Sequence, residues 1–538
     1  MSNFSLPSLL SRRQSPSSDL IRARWHSAVL ASSLLAVLTG CGGSDDNVPA
    51  PVPDTPQASA ASLCNGFLGR TIEGAVITRA TFTATTGNVP EYCVVRGEMP
   101  QDLDFEVRLP TAWNKRTLFM GGGGFDGSIS QAADNISASP DLIPRGYATI
   151  ATNHGHDASL LPGATFALDT QMLAEYGYLA VPRVLAAAKA ILRERFGNDF
   201  NSTKIVYEGC SGGGRQGLIQ AQRYPDLFDG VISRAPANAY TPQFLWYQKV
   251  AKQLAQPGAA LSVAKMKTVS NAVLAKCDAL DGLADKIIGR PEACTFDPAE
   301  LACTAAETDA CLTPPQVQSV RTFYAPTDVA NGRYKWPGFP FGGEYSDIGP
   351  SFIWGWNTGT RTLLGEGYID YMVAQNPAVD WLQLDPAQYT SRIDQLVGII
   401  DAVNPDLSRF KASGGKLILW TGLTDWLITA NNATDYYKSV VRQSGGQTAA
   451  DEFVEYYTAP GVQHCTGGTG ADKVDLAGPM FEWIEKGTKP STSQIIATQT
   501  FVAPGATPLA RPLCKYPQYP RYVSGDVNAA ASFTCTNP

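Results

Sequence analysis

The stretch Lys204-Ile205-Val206-Tyr207-Glu208-Gly209-Cys210-Ser211-Gly212-Gly213-Gly214-Arg215 decides how the chain is read. Lys204 to Tyr207 is a short β-branched and aromatic run that reads as a strand. Gly209-Cys210-Ser211-Gly212-Gly213 is a G-x-S-x-G pattern, and Arg215 to Tyr224 reads as the helix after it. Strand, Gly-flanked serine and helix in that order make a nucleophile elbow. The glycines permit a turn sharp enough to present the serine hydroxyl at the head of a sheet. The pattern alone is a weak signal, because Gly and Ser are common. The flanking strand and helix set it apart from a Gly-rich loop without chemistry.

A serine hydroxyl is a weak nucleophile until a base takes its proton. The chain has four histidines: His26, His154, His156 and His464. In α/β-hydrolase order the acid and then the histidine follow the serine, which selects His464 as base. His154 and His156 precede Ser211 and are expected to shape a loop. Lys416 to Trp420 reads as a strand, and Asp425 sits in the loop after it, placed to hold the Nδ1–H of His464. Asp435 and Asp451 are alternatives, but neither lies directly at a strand's carboxyl end. An oxyanion hole needs two backbone N–H donors. Gly212 supplies one, and Gly121-Gly122-Gly123-Gly124, after the strand-like Arg116 to Met120, offers the other; spacing does not choose among these four. Cys210 precedes Ser211 and Cys465 follows His464, so a disulfide between them would bring base and nucleophile together.

The chain has 538 residues, a net charge of −7, 44% hydrophobic and 17% charged residues. A mildly acidic globular composition without a basic run gives no case for nucleic-acid binding. Arg12, Arg13, Arg22 and Arg24 precede an apolar run, Ala28 to Leu38, too short to span a bilayer. Leu38-Thr39-Gly40-Cys41 resembles a bacterial lipobox, which implies acylation of Cys41 and a lipid anchor; plain secretion is the alternative. Residues 1–40 are thus expected to be a signal peptide and residues 41–62 a flexible tether, in an exported, outer-membrane, periplasmic or cell-surface protein. Eleven cysteines less Cys41 leave ten, an even number that suits disulfides outside the cytoplasm. Cys277/Cys294, Cys303/Cys311 and Cys514/Cys535 suggest short loops, and Cys64/Cys93 would staple the start of the fold; connectivity stays open. No C-x-x-C and few histidines make zinc a poor rival.

Tyr147 to Thr152, Val231 to Ser233 and Phe453 to Tyr457 read as further strands. Leu179 to Phe196 has apolar residues at helical spacing. This alternation predicts an α/β fold with a mostly parallel sheet covered by helices. Residues 63–235 and 414–538 are expected to form that core. Residues 236–413, rich in Trp, Tyr, Pro and Gly, break the rhythm and are expected to form an inserted lid domain, since the catalytic candidates flank it. A second independent domain is the alternative. Within the lid, Asp278, Asp281 and Asp285 surround a central Gly282, a spacing of hard oxygens that suits Ca²⁺. It is not an EF-hand, and charge alone leaves a solvated acidic turn equally open.

Together, Cys210-Ser211, Asp425 and His464-Cys465, with Gly414-Gly415-Lys416-Leu417-Ile418-Leu419 and Pro460-Gly461, resemble the tannase/feruloyl esterase family over nearly all of the mature chain. The resemblance implies an α/β-hydrolase core with an inserted lid, and hydrolysis of small esters of aromatic acids by a monomer. It implies Gly123 as the second oxyanion donor. It implies the disulfides Cys64–Cys93, Cys210–Cys465, Cys277–Cys294, Cys303–Cys311 and Cys514–Cys535. It also implies a structural Ca²⁺ in the lid, with the Leu283 and Ile287 carbonyls joining the three aspartates. Two positions depart from the pattern. Trp426 follows the acid where many members have Pro or a small residue, and Gly212 follows the nucleophile where the family's terephthalate-monoester hydrolase has a bulkier residue. Tyr240, Phe352, Trp354, Trp356 and Tyr368 are candidates to stack on an aromatic acid, with core packing as the alternative for each. Arg361 is a candidate to pair with a substrate carboxylate, or else a solvated arginine.

Overall fold

The computed structural model describes residues 59–129, 142–344, 360–500, 502 and 505–538. The expected signal peptide with Cys41, most of the tether, and Phe352, Trp354 and Trp356 lie outside the described residues. Ser59 accepts a hydrogen bond from the backbone N–H of Ser62 and starts a helix, Ala60–Asn65, inside the segment expected to be tether. Cys64 of that helix is bonded to Cys93, which fixes the chain's entry to the fold.

Ten strands build the main sheet: β1 (Thr71–Ile72), β2 (Ala75–Thr83), β3 (Tyr92–Met99), β4 (Leu103–Pro110), β5 (Arg116–Met120), β6 (Ala148–Thr152), β7 (Lys204–Cys210), β8 (Gly230–Arg234), β9 (Lys416–Gly422) and β10 (Val454–Ala459). Their order is β1-β2-β3-β4-β6-β5-β7-β8-β9-β10. The six strands from β6 to β10 run parallel. The expectation of a mostly parallel sheet needs correction, because β1 to β4 add an antiparallel wing that joins at β4–β6. These strands carry charged residues between apolar ones and have one exposed face, so no apolar run advertises them.

The parallel strands are buried on both faces, and alternate residues go to different cores. Ile205, Tyr207, Val231, Leu417, Leu419, Val454 and Tyr456 pack under helices α1 (Ala180–Phe196), α2 (Gly212–Arg223) and α3 (Ala430–Gln443). Val206, Ile232, Ile418, Trp420 and Tyr457 pack under α4 (Ala477–Lys486) on the other face. That two-sided burial explains the unbroken apolar character of Lys204–Cys210 and Lys416–Gly422.

β8 and β9 are neighbours in the sheet, yet about 180 residues separate them in the chain. That interval begins with a helix, Tyr240–Leu254, and has its own core around Trp246, Trp336, Phe323 and Tyr368. The same core takes in Phe125, Phe166 and Tyr176, so the insertion is packed onto the loops at the head of the sheet. No helix among the described residues is long and apolar enough to cross a membrane.

Candidate active site

Parallel strands end at one edge of a sheet, and their following loops meet there. Ser211 follows β7, the glycine run follows β5, Asp425 follows β9 and His464 follows β10. Ser211 has φ 66° and ψ −123°, a strained conformation. Helix α2 begins at the next residue, Gly212, three residues before the expected start. Glycine has poor helix propensity, which hid that first turn. Packing explains the glycines. A Cβ at Gly213 would lie 2.5 Å from the Gly122 carbonyl oxygen, and one at Gly214 would lie 2.4 Å from that of Arg234.

His464 Nδ1 lies 2.8 Å from Asp425 Oδ2. Asp425 Oδ1 accepts from the backbone N–H groups of Leu427 and Ile428, at 2.8 and 2.9 Å. The Asp425 side chain is fully buried and that of His464 is 14% exposed, so the carboxylate faces inward and the imidazole can reach substrate. The acid and histidine loops are joined through their backbones, with Thr424 N donating to Val462 O at 3.0 Å. Asp472 holds the far side of the histidine loop, accepting from Thr466 Oγ1 and Gly467 N. Asp435 is exposed on α3, and Asp451 pairs with Lys515 at 2.8 Å, so neither competes for His464.

The Cys210–Cys465 bond, with Cα atoms 6.1 Å apart, ties the residue before Ser211 to the residue after His464. Cys64–Cys93, Cys277–Cys294, Cys303–Cys311 and Cys514–Cys535 are bonded as well. Cys311 differs from the cysteines at the site. It is only half-buried, its Sγ lies 3.7 Å from Thr308 Oγ1, and its bond to Cys303 closes a turn of eight residues' separation in the insertion. Cys303 and Cys311 belong to none of the buried apolar clusters, so this pair staples a surface turn and takes no part in the site.

Gly212 and the glycine run are adjacent. A Cβ on Gly212 would lie 3.1 Å from Gly124 O, whereas one on Gly123 would meet nothing within 4 Å. Among the described residues Gly123 thus has free space on its side-chain face while lying next to Gly212, the setting an oxyanion donor needs. Trp426 stands edge-on to His464, ring centroids 6.3 Å apart, and is partly exposed. Tyr240 and Tyr368 are 2% and 0% exposed. The Tyr240 and Tyr176 hydroxyl oxygens lie 2.8 Å apart, and Tyr368 donates to Thr241 Oγ1. Both are packed in the aromatic core between the insertion and the glycine loop rather than lining an open wall. Arg361 lies in the helix Thr360–Gly367, and its side chain is outside the described ones.

His154 and His156 follow β6 and are buried. His156 stacks on Phe166, with centroids 4.1 Å apart, and burial pushes its imidazole down to about 4. His154 Nδ1 contacts Asp126 Oδ2 without the alignment of a hydrogen bond. Sequence reading missed Asp126, Gln216 and Tyr207, whose partners lie on other elements, and Asp472, which accepts from its own loop.

In the acidic loop, Asp278 Oδ2 accepts from Lys286 N, Asp281 from Leu283 N and Gly289 N, and Asp285 from Ile287 N and Arg511. Asp278 Oδ1 is buried without a hydrogen-bond partner among the described residues. Burial pushes the Asp281 carboxyl up to about 6, and the Asp285 and Asp278 charges add to the rise. An orphaned carboxylate oxygen and mutually repelling carboxylates are what a hard divalent cation relieves, so the donor set fits Ca²⁺. No three acidic, His or Cys side chains among the described residues are already drawn together as a metal cluster.

Residues 87–536 match the family model "Tannase and feruloyl esterase". The chain belongs to the tannase and feruloyl esterase family. As a member, it is a carboxylic ester hydrolase. Mono(2-hydroxyethyl) terephthalate hydrolase of Piscinibacter sakaiensis is 31% identical over 85% of the chain and 87% of the relative. A probable feruloyl esterase of Arthroderma benhamiae is 31% identical over 79% of the chain and 81% of the relative. Among solved structures, an esterase from Aspergillus oryzae shares the fold with a TM-score of 0.79 at 23% identity, over 89% of this chain and all of that one.

Proposed function

We propose that this esterase is an exported serine hydrolase of aromatic-acid esters that works through an acyl-enzyme on Ser211. The observation that carries this reading is the 2.8 Å Asp425–His464 contact at the head of the parallel strands, clamped to the nucleophile elbow by Cys210–Cys465. His464 takes the proton of Ser211 as its oxygen attacks the ester carbonyl. The N–H groups of Gly123 and Gly212 receive the negative charge on the carbonyl oxygen. The carbon–oxygen bond to the alcohol breaks, and the alcohol leaves with the proton from His464. Water, deprotonated by His464, then releases the acid and restores Ser211. Asp425 stays ionised and keeps the imidazole in the required tautomer.

Feruloyl-type esters are the first choice of substrate. Gallate esters and terephthalate monoesters come next, in keeping with the relatives' names. Trp426 beside His464 offers an aromatic face for such acids. The insertion serves as the lid, with Ca²⁺ held by Asp278, Asp281, Asp285 and the Leu283 and Ile287 carbonyls as a structural brace. Five disulfides support export to an oxidising compartment, and Cys41 is the proposed lipid anchor.

Ser211→Ala is expected to fold normally and to turn over none of methyl ferulate, methyl gallate or mono(2-hydroxyethyl) terephthalate. A serine-directed phosphonate should label the parent enzyme at Ser211. Retained turnover in the variant, or no labelling of the parent, would overturn the assignment and favour a binding protein on an inactive hydrolase fold.

A further inference from the structure

The Gly121–Gly124 loop has no side chains with which to hold itself in place. Beneath it lies a buried polar group that the acyl-transfer steps do not use. Tyr207, on the nucleophile strand and 0% exposed, donates its hydroxyl to Gln216 Oε1 at 3.0 Å. Gln216, on helix α2, donates from Nε2 to Asp126 Oδ2. His154 Nδ1 contacts the same carboxylate oxygen. The Asp126 and His154 side chains are 0% and 1% exposed. Asp126 also closes the glycine loop, its N–H donating to Gly123 O at 2.9 Å.

The group presses directly on the loop. A Cβ at Gly121 would lie 2.3 Å from the Tyr207 hydroxyl oxygen, and one at Gly122 would lie 3.0 Å from Asp126 Oδ1. A side chain at Gly121 would collide with the group, and one at Gly122 would crowd it. The arrangement is costly. Asp126 Oδ1 and His154 Nε2 have no hydrogen-bond partner among the described residues. An unmet buried polar atom costs about 1–3 kcal/mol, so an apolar filling would serve stability better. Polar groups kept against that cost are expected where function needs them.

We infer that Asp126, with His154, Gln216 and Tyr207, is a positioning group that fixes the oxyanion loop to the nucleophile elbow. Oxyanion donors act only when already aimed at the place where charge develops. Four consecutive glycines have the greatest backbone freedom of any loop and would lose that aim. The network joins the loop to the strand and the helix on either side of Ser211, so donor and nucleophile keep one geometry. None of the four touches substrate. The inference rests on the serine-esterase reading above.

The test uses the full enzyme, with Asp126→Asn and the milder Tyr207→Phe, which removes one oxygen and keeps the ring. Turnover of an aryl ester is measured together with the rate at which an aryl phosphonate modifies Ser211, since attack on phosphorus, with aryloxide leaving, develops negative charge on the phosphoryl oxygen where the substrate's oxyanion would form. Asp126→Asn is expected to lower kcat about 10- to 100-fold with KM within about twofold, and to slow phosphonylation in proportion while labelling still runs to completion. Tyr207→Phe should move the same two quantities together by a smaller factor. If both variants lower only Tm, with kcat and phosphonylation at parental values well below the melting range, the group is merely structural and the inference falls. If the parent enzyme is not labelled at Ser211, the esterase reading falls first. If parent and variants are labelled alike, only the positioning role is lost.

Discussion

Ser211, with φ 66°, and Cys465, with φ 63°, both hold backbone conformations that non-glycine residues adopt only when their surroundings impose them. Ser211 is imposed upon by the glycine packing of the elbow, Cys465 by its bond to Cys210. The two strained positions lie at the elbow and directly after His464, joined through the Cys210–Cys465 bond. In the proposed mechanism Asp425 sets which His464 nitrogen carries the proton. Its Oδ1 is fully used by Leu427 and Ile428, leaving Oδ2 for His464. Asp425→Asn keeps the shape but can turn an N–H toward the ring and favour the wrong tautomer. The expected result is a fall in kcat of about 10⁴-fold with an unchanged circular-dichroism spectrum. A loss of less than tenfold, about 1.4 kcal/mol of barrier, would mean that another group orients His464. Ser211, Asp425 and His464 were legible in the sequence because each follows an apolar strand and their chain order is diagnostic. Asp126 and His154 were not. They meet only because β5 and β6 are sheet neighbours, with Leu118 opposite Thr149, and nothing local to either residue reports that pairing.

At the scale of elements, the elbow was legible as strand, Gly-flanked serine and helix, while the helix start was misplaced because the glycines packed against Gly122 and Arg234 look like a loop. The antiparallel wing was illegible for a different reason: β2 alternates weakly, with Arg79 and several threonines exposed or half-exposed. The Cys210–Cys465 bond joins two elements across 255 residues. A loop that long constrains the unfolded chain by about 5 kcal/mol in the chain-entropy model, an upper figure because denatured chains retain structure. Replacing both cysteines with alanine should therefore lower Tm. It should also lower kcat, because His464 then depends for its position on Asp425, its loop's backbone bonds and Asp472 without the covalent tie to the elbow. Differential scanning calorimetry and steady-state kinetics on the double variant check the two parts separately. Unchanged Tm and kcat would show that the backbone bonds of the acid and histidine loops suffice.

For the whole molecule, the point of interest is where the inserted segment meets the C-terminal residues. The acidic loop lies in the insertion, yet Arg511, near the end of the chain, pairs with Asp285 at 2.8 Å, and a Cβ at Gly282 would lie 3.1 Å from Tyr522 O. Cys277–Cys294 closes the loop from within, and Cys514–Cys535 closes the hairpin it rests on. A cation bound by Asp278, Asp281 and Asp285 would relieve their repulsion and brace the insertion against the C-terminal segment, far in sequence from Ser211. Stability should then depend on calcium while chemistry should not. Chelator-treated protein is expected to melt several degrees lower than protein in Ca²⁺. At a free concentration 100 times Kd, binding to the folded state alone adds about 2.7 kcal/mol. Asp281→Asn should abolish the calcium-dependent part of the shift, and kcat measured well below the melting range should be the same with and without the ion. Mg²⁺, which demands a tighter octahedral shell, should substitute poorly. A melting temperature indifferent to both Ca²⁺ and chelator would leave the loop to its counter-charges Arg511 and Lys286 and make it a plain acidic turn.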